Sequence, residues 1–366
     1  MLRPQIVGIG PLLPRIESSL GVSHAVAVLL ATIPVLCMGV FAPAAPSVLR
    51  VVGSHRAVVL SLAVIGFVGL VRAFAPGPAL VLALTVPVGV GIAIGGTVLP
   101  VVVREELPTR PALGTGSYTS GINIGAAIAS LTAVPLALIE GWRTALVVYA
   151  IAAGVVAVVW TRRRDLPDRT VVERVPLPFR RPIAWMLAAT FALQSSLFYG
   201  FNAWLPEVYV DRGWSQTAAG GLIAVANLTA LVFGLATAVT ADRFGSRRLY
   251  VGGAAAAATV AGACFAGSVP SAWFWAVLLG AALGVLFTIV MTLPLDAAEH
   301  RSEVAAMTAV MLGLGYVVSA FAPAVLGFAR DRTGSFTLSL VLLTVDAAIL
   351  LALSPFLRIH TTSRPT

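Results

Sequence analysis

Lysine is absent from these 366 residues, and all 24 basic side chains are arginine. That bias reflects arginine-rich coding and marks no function. Charge of either sign is scarce: Arg, Asp and Glu together make up 11% of the chain, against about 25% in soluble domains. Such a chain cannot cover a globule with polar surface, so a water-soluble fold is excluded. The two cysteines, Cys37 and Cys264, both lie inside apolar runs, which excludes a disulfide framework or a thiolate metal site. The four histidines, His24, His55, His300 and His360, lie far apart, near helix ends or in loops. No H-E-x-x-H, G-x-S-x-G or Walker A pattern occurs. These absences argue against a membrane protease, a transferase and an ATPase. The chain therefore reads as no enzyme, with no cofactor and no metal.

What is present is apolar, at 58% of residues. A bilayer core of roughly 30 Å needs about 20 apolar residues per helix. Eleven runs meet that length, at approximately 24–48, 57–74, 78–103, 113–138, 144–160, 183–207, 216–240, 249–267, 271–295, 304–328 and 336–357. A shorter one opens the chain and reaches about Pro14. Glycine and proline recur inside the runs, as in "VPVGVGIAIGGTVLP", which membrane helices tolerate better than soluble ones. With the amino terminus inside, seventeen arginines fall in inner loops and the tail and six in outer loops, the last being Arg3 in the first helix. The positive-inside rule then places both termini and the loop 161–182 in the cytoplasm. The net charge of +9 is thus membrane-flanking and calls for no nucleic acid.

The chain also repeats. A shift of 192 residues lays Leu13, Pro14, Gly21 and Ser23 on Leu205, Pro206, Gly213 and Ser215, and "GSHR" (53–56) on "GSRR" (245–248). A shift of 194 lays Leu99 and Pro100 on Leu293 and Pro294. Matches spread over four helices at nearly one offset point to duplication. The expected organisation is a first six-helix half over 1–160, a cytoplasmic linker over 161–182, a second half over 183–358 and a cytoplasmic tail over 359–366. Parallel six-helix halves are the plan of secondary transporters, with the substrate site at the repeat interface near the midplane.

The loop "TADRFGSRR" resembles the Asp-Arg-x-Gly-x-Arg-Arg signature of the major facilitator superfamily, carried here by Asp242, Arg243, Gly245, Arg247 and Arg248. The copy in the first half, "LRVVGSHR", is degenerate, with Arg50 in place of the aspartate. "LRPQIVGIGPLLPRI", "ATIPVLCMGVFAPAAP", "GIAIGGTVLPVVVREELPTR", "GSYTSG", "EGWRTAL" and "LQSSLFYGFNAWLPEVY" are similar to the cyanate permease and nitroimidazole exporter branch of that superfamily. The likeness covers most of the chain in order. It implies an all-α membrane protein of major facilitator fold. Twelve transmembrane helices, the first apparently truncated, would form two pseudo-symmetric halves in the bacterial inner membrane, as a monomer. It also implies that the Asp-Arg-Gly loop is a conformational latch, and that Arg3 of the "LRP" stretch faces the substrate cavity. The branch carries an asparagine before "LRP" and another before the "LLP" of helix 4. The chain begins at the first, and Gly95, Gly96 and Thr97 occupy the region of the second.

The helices matching 1, 4, 5, 7, 8, 10 and 11 hold no mid-membrane Asp or Glu. Their polar residues are Arg3, Gln5, Tyr118, Thr119, Asn123, Gln194, Tyr199, Asn202, Trp204, Asn227, Thr288, Thr292 and Tyr316. Such a set suits a small, flat or anionic solute. The guanidinium of Arg3 offers a planar fork matched to an anion; the other reading of Arg3 is a cytoplasmic flank residue. Tyr118, Asn123, Gln194, Tyr199 and Asn202 complete the candidate substrate set. Trp204 is as well explained by the interfacial belt. Asp346, alone in the last run, is a candidate for proton coupling or a helix-packing or oligomer contact, since a carboxyl at that depth must be protonated, paired or wet.

The leading expectation is a secondary transporter of a small anion or small heteroaromatic, working by alternating access across the lipid bilayer. The alternative is a proton-driven drug exporter, and the remote one a membrane enzyme or sensor. Helix 7 begins near Ile183, so the repeat puts the start of helix 1 about nine residues before Met1. A start codon further upstream, or a natural truncation, is the corresponding expectation.

Overall fold

A computed structural model describes residues 2–162, 176–244 and 246–357. The latch position Gly245, most of the predicted linker and the predicted tail lie outside the described residues. The described chain is almost wholly helical. It opens on a broken helix: α1 (Pro4–Val7), a 3-10 turn (Gly10–Leu12) and α2 (Leu13–Leu20). Pro11 and Pro14 cause the break, because neither has an N–H to continue the ladder. Gly21, left-handed at φ 62°, ends α2. This stretch is packed, with Ile9, Leu12 and Ile16 buried. They join a cluster with Leu30, Val81, Trp142, Leu146 and Tyr149.

The long helices follow: α3 (His24–Phe41), α4 (Ala45–Ala73), α5 (Pro78–Glu106), α6 (Pro111–Glu140), α7 (Trp142–Thr161) and α8 (Pro182–Asp211). After them come α9 (Gln216–Phe244), α10 (Arg247–Ala266), α11 (Ala272–Ala297), α12 (Arg301–Ala320), α13 (Ala322–Thr333) and α14 (Thr337–Leu353). Ten stretches among the described residues are long and apolar enough to cross a membrane. One of them, Leu29–Ala73, has 45 residues, about 68 Å of helix and twice a bilayer core. Gly53 divides it. Its φ of 81° and ψ of 168° leave the helical region, and only glycine adopts that conformation without strain. With this division the stretches number eleven, and the opening broken helix makes the twelfth.

The chain forms two compact units. One comprises Met1–Glu106, Gly121–Leu177 and His300–Gly313; the other comprises Leu107–Ser120, Pro178–Glu299 and Leu314–Thr366. Helices α6 and α12 each contribute to both. In the first unit α4 packs on α5 and α7; in the second α9 packs on α11, and α10 on α11 and α14. Lipid provides no hydrophobic drive between helices, so contact depends on small residues that let backbones approach. A Cβ built on Gly280 would overlap the carbonyl oxygen of Ala226, and one on Gly284 that of Ala230. The α9–α11 contact is therefore backbone against backbone. Gly66 of α4 is similar: a Cβ there would lie 2.9 Å from the nitrogen of Gly154 in α7.

Candidate functional site

The densest polar geometry surrounds Asp242, at the end of α9. One carboxylate oxygen accepts the backbone N–H of Ala112 and the other that of Leu113, both at 3.0 Å. These are the first two N–H groups of α6, since Pro111 has none. A carboxylate there meets orphan donors and the positive end of the helix dipole together. Residues 107–120 belong to the same unit as α9, so this is an internal contact of the second unit. Arg247 organises the rest. Its Nη2 donates to Asp242 at 3.0 Å, its Nε to Asp296 of α11 at 2.7 Å and its Nη1 to the Ala241 carbonyl at 2.8 Å. Its side chain is 4% exposed and that of Asp296 is 7% exposed. Both are thus shielded from water, where charge-assisted bonds are strongest.

Of the predicted latch residues, the structure joins Asp242 and Arg247 directly, while Arg243 and Arg248 are exposed. Asp296 and the N–H groups of α6 were not among the predicted latch residues. Asp296 stands two residues after the repeated Leu-Pro pair, which was the available signal. The first half is built differently at the matching place. His55 stands where the repeat puts Arg247 and stacks on Trp160 at 6.4 Å, and Ser54 donates to Glu105.

Arg3 is half-buried at the start of α1, its carbonyl accepting the N–H groups of Ile6 and Val7. Its neighbour Pro4 is in van der Waals range of a Cβ built on Gly125 of α6, at 3.6 Å. Asn123, half-buried, stands two residues before that point. The structure thus brings the start of the opening helix to the stretch of α6 that carries Asn123, within the first unit.

Tyr118, Gln194, Tyr199 and Asn202 belong to the second unit. The Tyr118 hydroxyl is buried without a hydrogen-bond partner among the described residues, and it lies near Tyr316. Tyr316 in turn packs edge-on against Phe191 at 4.9 Å. Gln194 is buried, and its Oε1 lies 3.4 Å from the Ser195 hydroxyl. Tyr199 is half-buried. Asn202 donates to the Phe198 carbonyl and accepts from the exposed Asn227 amide, both at 2.8 Å. Trp204, by contrast, is spent on packing: its Nε1 donates to Pro323 at 3.0 Å. Thr288 and Thr292 donate to helix carbonyls.

One charged group was misjudged from sequence. Arg72, counted with the outer-loop arginines, has no exposed surface. Its Nη2 donates to Gln5 and its Nη1 to Thr85 at 3.2 Å, while Gln5 Nε2 donates to the Leu146 carbonyl at 3.3 Å. Its Nε has no partner among the described residues. Asp346, half-buried on α14, likewise has a buried Oδ2 without a partner among the described residues. No group of three or more His, Cys, Asp or Glu is placed to hold a metal among the described residues.

Against this geometry, the comparisons with known proteins agree with one another. The family model of the Major Facilitator Superfamily matches residues 5–323. A Bacillus subtilis (strain 168) protein named "Uncharacterized transporter YycB" is 31% identical over 93% of this chain and 87% of its own length. The cyanate transport protein CynX of Escherichia coli (strain K12) is 29% identical over 92% of this chain and 88% of its own. The 2-nitroimidazole transporter of the same strain is 27% identical over 93% and 88%. Among solved structures, the proton:xylose symporter XylE superposes with a TM-score of 0.79 at 12% identity, covering 96% of this chain and 92% of its own. That likeness concerns the fold.

Proposed function

The chain belongs to the Major Facilitator Superfamily, and from that premise we propose that it carries a small anion across the bacterial inner membrane by alternating access. It is a transporter of small solutes and not an enzyme. The anion reading is carried by Arg3. It is the one charged residue among the candidate substrate residues, and it stands half-buried where the opening helix meets α6. A guanidinium in low dielectric favours a flat anion with two acceptor atoms. Cyanate, the solute named for one relative, fits that chemistry, and a small heteroaromatic, as named for another, fits the aromatic faces of Tyr118 and Tyr199. In the first unit Asn123 is the candidate amide contact beside Arg3, and in the second unit Gln194 and Asn202 are the candidate amides.

Both termini are assigned to the cytoplasm, and Asp242, Arg247 and Asp296 to a latch on that side. Released from α6, Asp242 would leave the first N–H groups of that helix open, so the latch favours one access state. Flux of an anion panel in proteoliposomes tests the substrate class. Wild-type uptake that Arg3→Ala loses supports it; no uptake of any panel member refutes it. One observation favours a second reading, that of a proton-driven exporter: the Oδ2 of Asp346, without a partner among the described residues, lies mid-span. Proton-coupled drug efflux that survives Asp346→Asn unchanged removes that reading.

A further inference from the structure

The second unit contains a cavity of about 390 Å3 that substrate binding by the residues above does not use. Ser196 of α8, Val318 of α12, Phe321 between α12 and α13, Val325 of α13, and Leu342 and Asp346 of α14 line it. The wall is interrupted at Phe321 for a reason: Pro323, in the first turn of α13, cannot donate back into α12. Val318, Phe321 and Val325 are 56, 59 and 54% exposed, and Val341, Val345 and Ile349 continue the exposed apolar face along α14. Such a surface on a spanning helix meets acyl chains. Asp346 is the exception in it. Its Oδ2 is buried and partnerless among the described residues. It stands halfway along the 20-residue stretch Thr337–Phe356, about 15 Å from either end.

We propose that this cleft binds a lipophilic amine taken up from the bilayer. A carboxyl at that depth is stable only when neutral or matched by a cation. An amine meets that condition without moving net charge into the membrane. It arrives as the neutral base, the carboxyl waits as the neutral acid, and the proton passes from the Asp346 carboxyl to nitrogen to leave an ion pair. The apolar walls cover the hydrocarbon body, and the volume lies in the range of small-molecule sites, roughly 300–1,000 Å3. A phospholipid's own ammonium stays at headgroup level, about 15 Å away. An acyl chain or a second copy of the α14 face would match the walls and leave the carboxyl unanswered. The proposal does not rest on the anion reading, because none of the candidate substrate residues lines the cleft.

The test is equilibrium binding to the full chain in phosphatidylcholine nanodiscs, with radiolabelled dodecylamine as probe and dodecanol as its uncharged counterpart. Saturable amine binding is expected, at least tenfold weaker in Asp346→Asn, with dodecanol unsaturable throughout. Val325→Trp, which fills the cleft from α13 and leaves the carboxyl in place, should also abolish saturation, so one misfolded variant does not decide the matter. Wild type without saturable amine binding overturns the proposal. So does equal binding by Asp346→Asn, saturable dodecanol binding, or a native dimer cross-linked through Val325→Cys that excludes the amine.

Discussion

Arg72 carries a full charge into the first unit, and among the described residues it donates to neutral partners, Gln5 and Thr85. A buried charge that loses a partner costs more than the pair is worth, because the remaining group is left desolvated. Gln5→Leu should therefore lower the melting temperature in detergent, by the equivalent of about 2–3 kcal/mol. Gln5→Leu with Arg72→Met should recover much of that loss, since similar volume replaces the pair without stranding a charge. A double variant no more stable than Gln5→Leu would contradict this. Arg72 was illegible as a core residue from sequence because hydropathy locates depth along a helix and not which face a side chain occupies. The latch was half legible. Asp242 and Arg247 stand in a recognisable loop, but Asp296, 49 residues beyond Arg247, is reached only through the packing of α11. Asp242→Asn keeps the shape and removes the charge from two N–H groups and from Arg247. It should cost about 1–2 kcal/mol, read as a lowered melting temperature. Arg247→Lys should not restore the three-way contact, because one ammonium cannot reproduce three donors fixed in a plane.

At the scale of helices, the apolar runs were long enough to read directly, but not every limit matches an element: the run 24–48 passes the end of α3 into α4, and the run 304–328 crosses the break between α12 and α13. The break at Gly53 was legible as a charged loop, "GSHR", though not as a single non-helical glycine between two helices. The opening stretch was legible as part of a first helix, but neither its breaks nor its place in a cluster was, since Ile9, Leu12 and Ile16 acquire their burial from α3, α5 and α7. Small residues in the runs were ambiguous between packing and path-lining, and the structure resolves some of them. Gly284→Val should separate α9 from α11 and prevent stable expression, because the added atoms meet backbone and not a movable side chain. Gly253→Ala, with nothing within 4 Å of the added atom, should express like wild type. Size-exclusion profiles of the two variants in detergent check the pair, and an unaffected Gly284→Val would refute the close α9–α11 contact.

For the whole molecule, the offset of 192 residues, the uneven placing of arginine between alternate loops and the carboxylate-poor core pointed to a transporter, and the family comparisons establish the superfamily fold. What sequence patterns do not carry is the solute. Small differences in a few polar side chains decide it, and two relatives of similar identity are named for different solutes. The most direct test of the central claim is therefore uptake of radiolabelled cyanate into proteoliposomes holding the wild type, Arg3→Lys or Arg3→Ala. Saturable wild-type uptake, partial uptake with Arg3→Lys, and at least a tenfold loss with Arg3→Ala are expected, the last equivalent to about 1.4 kcal/mol or more of binding. Uptake by Arg3→Ala equal to that of the wild type would contradict it.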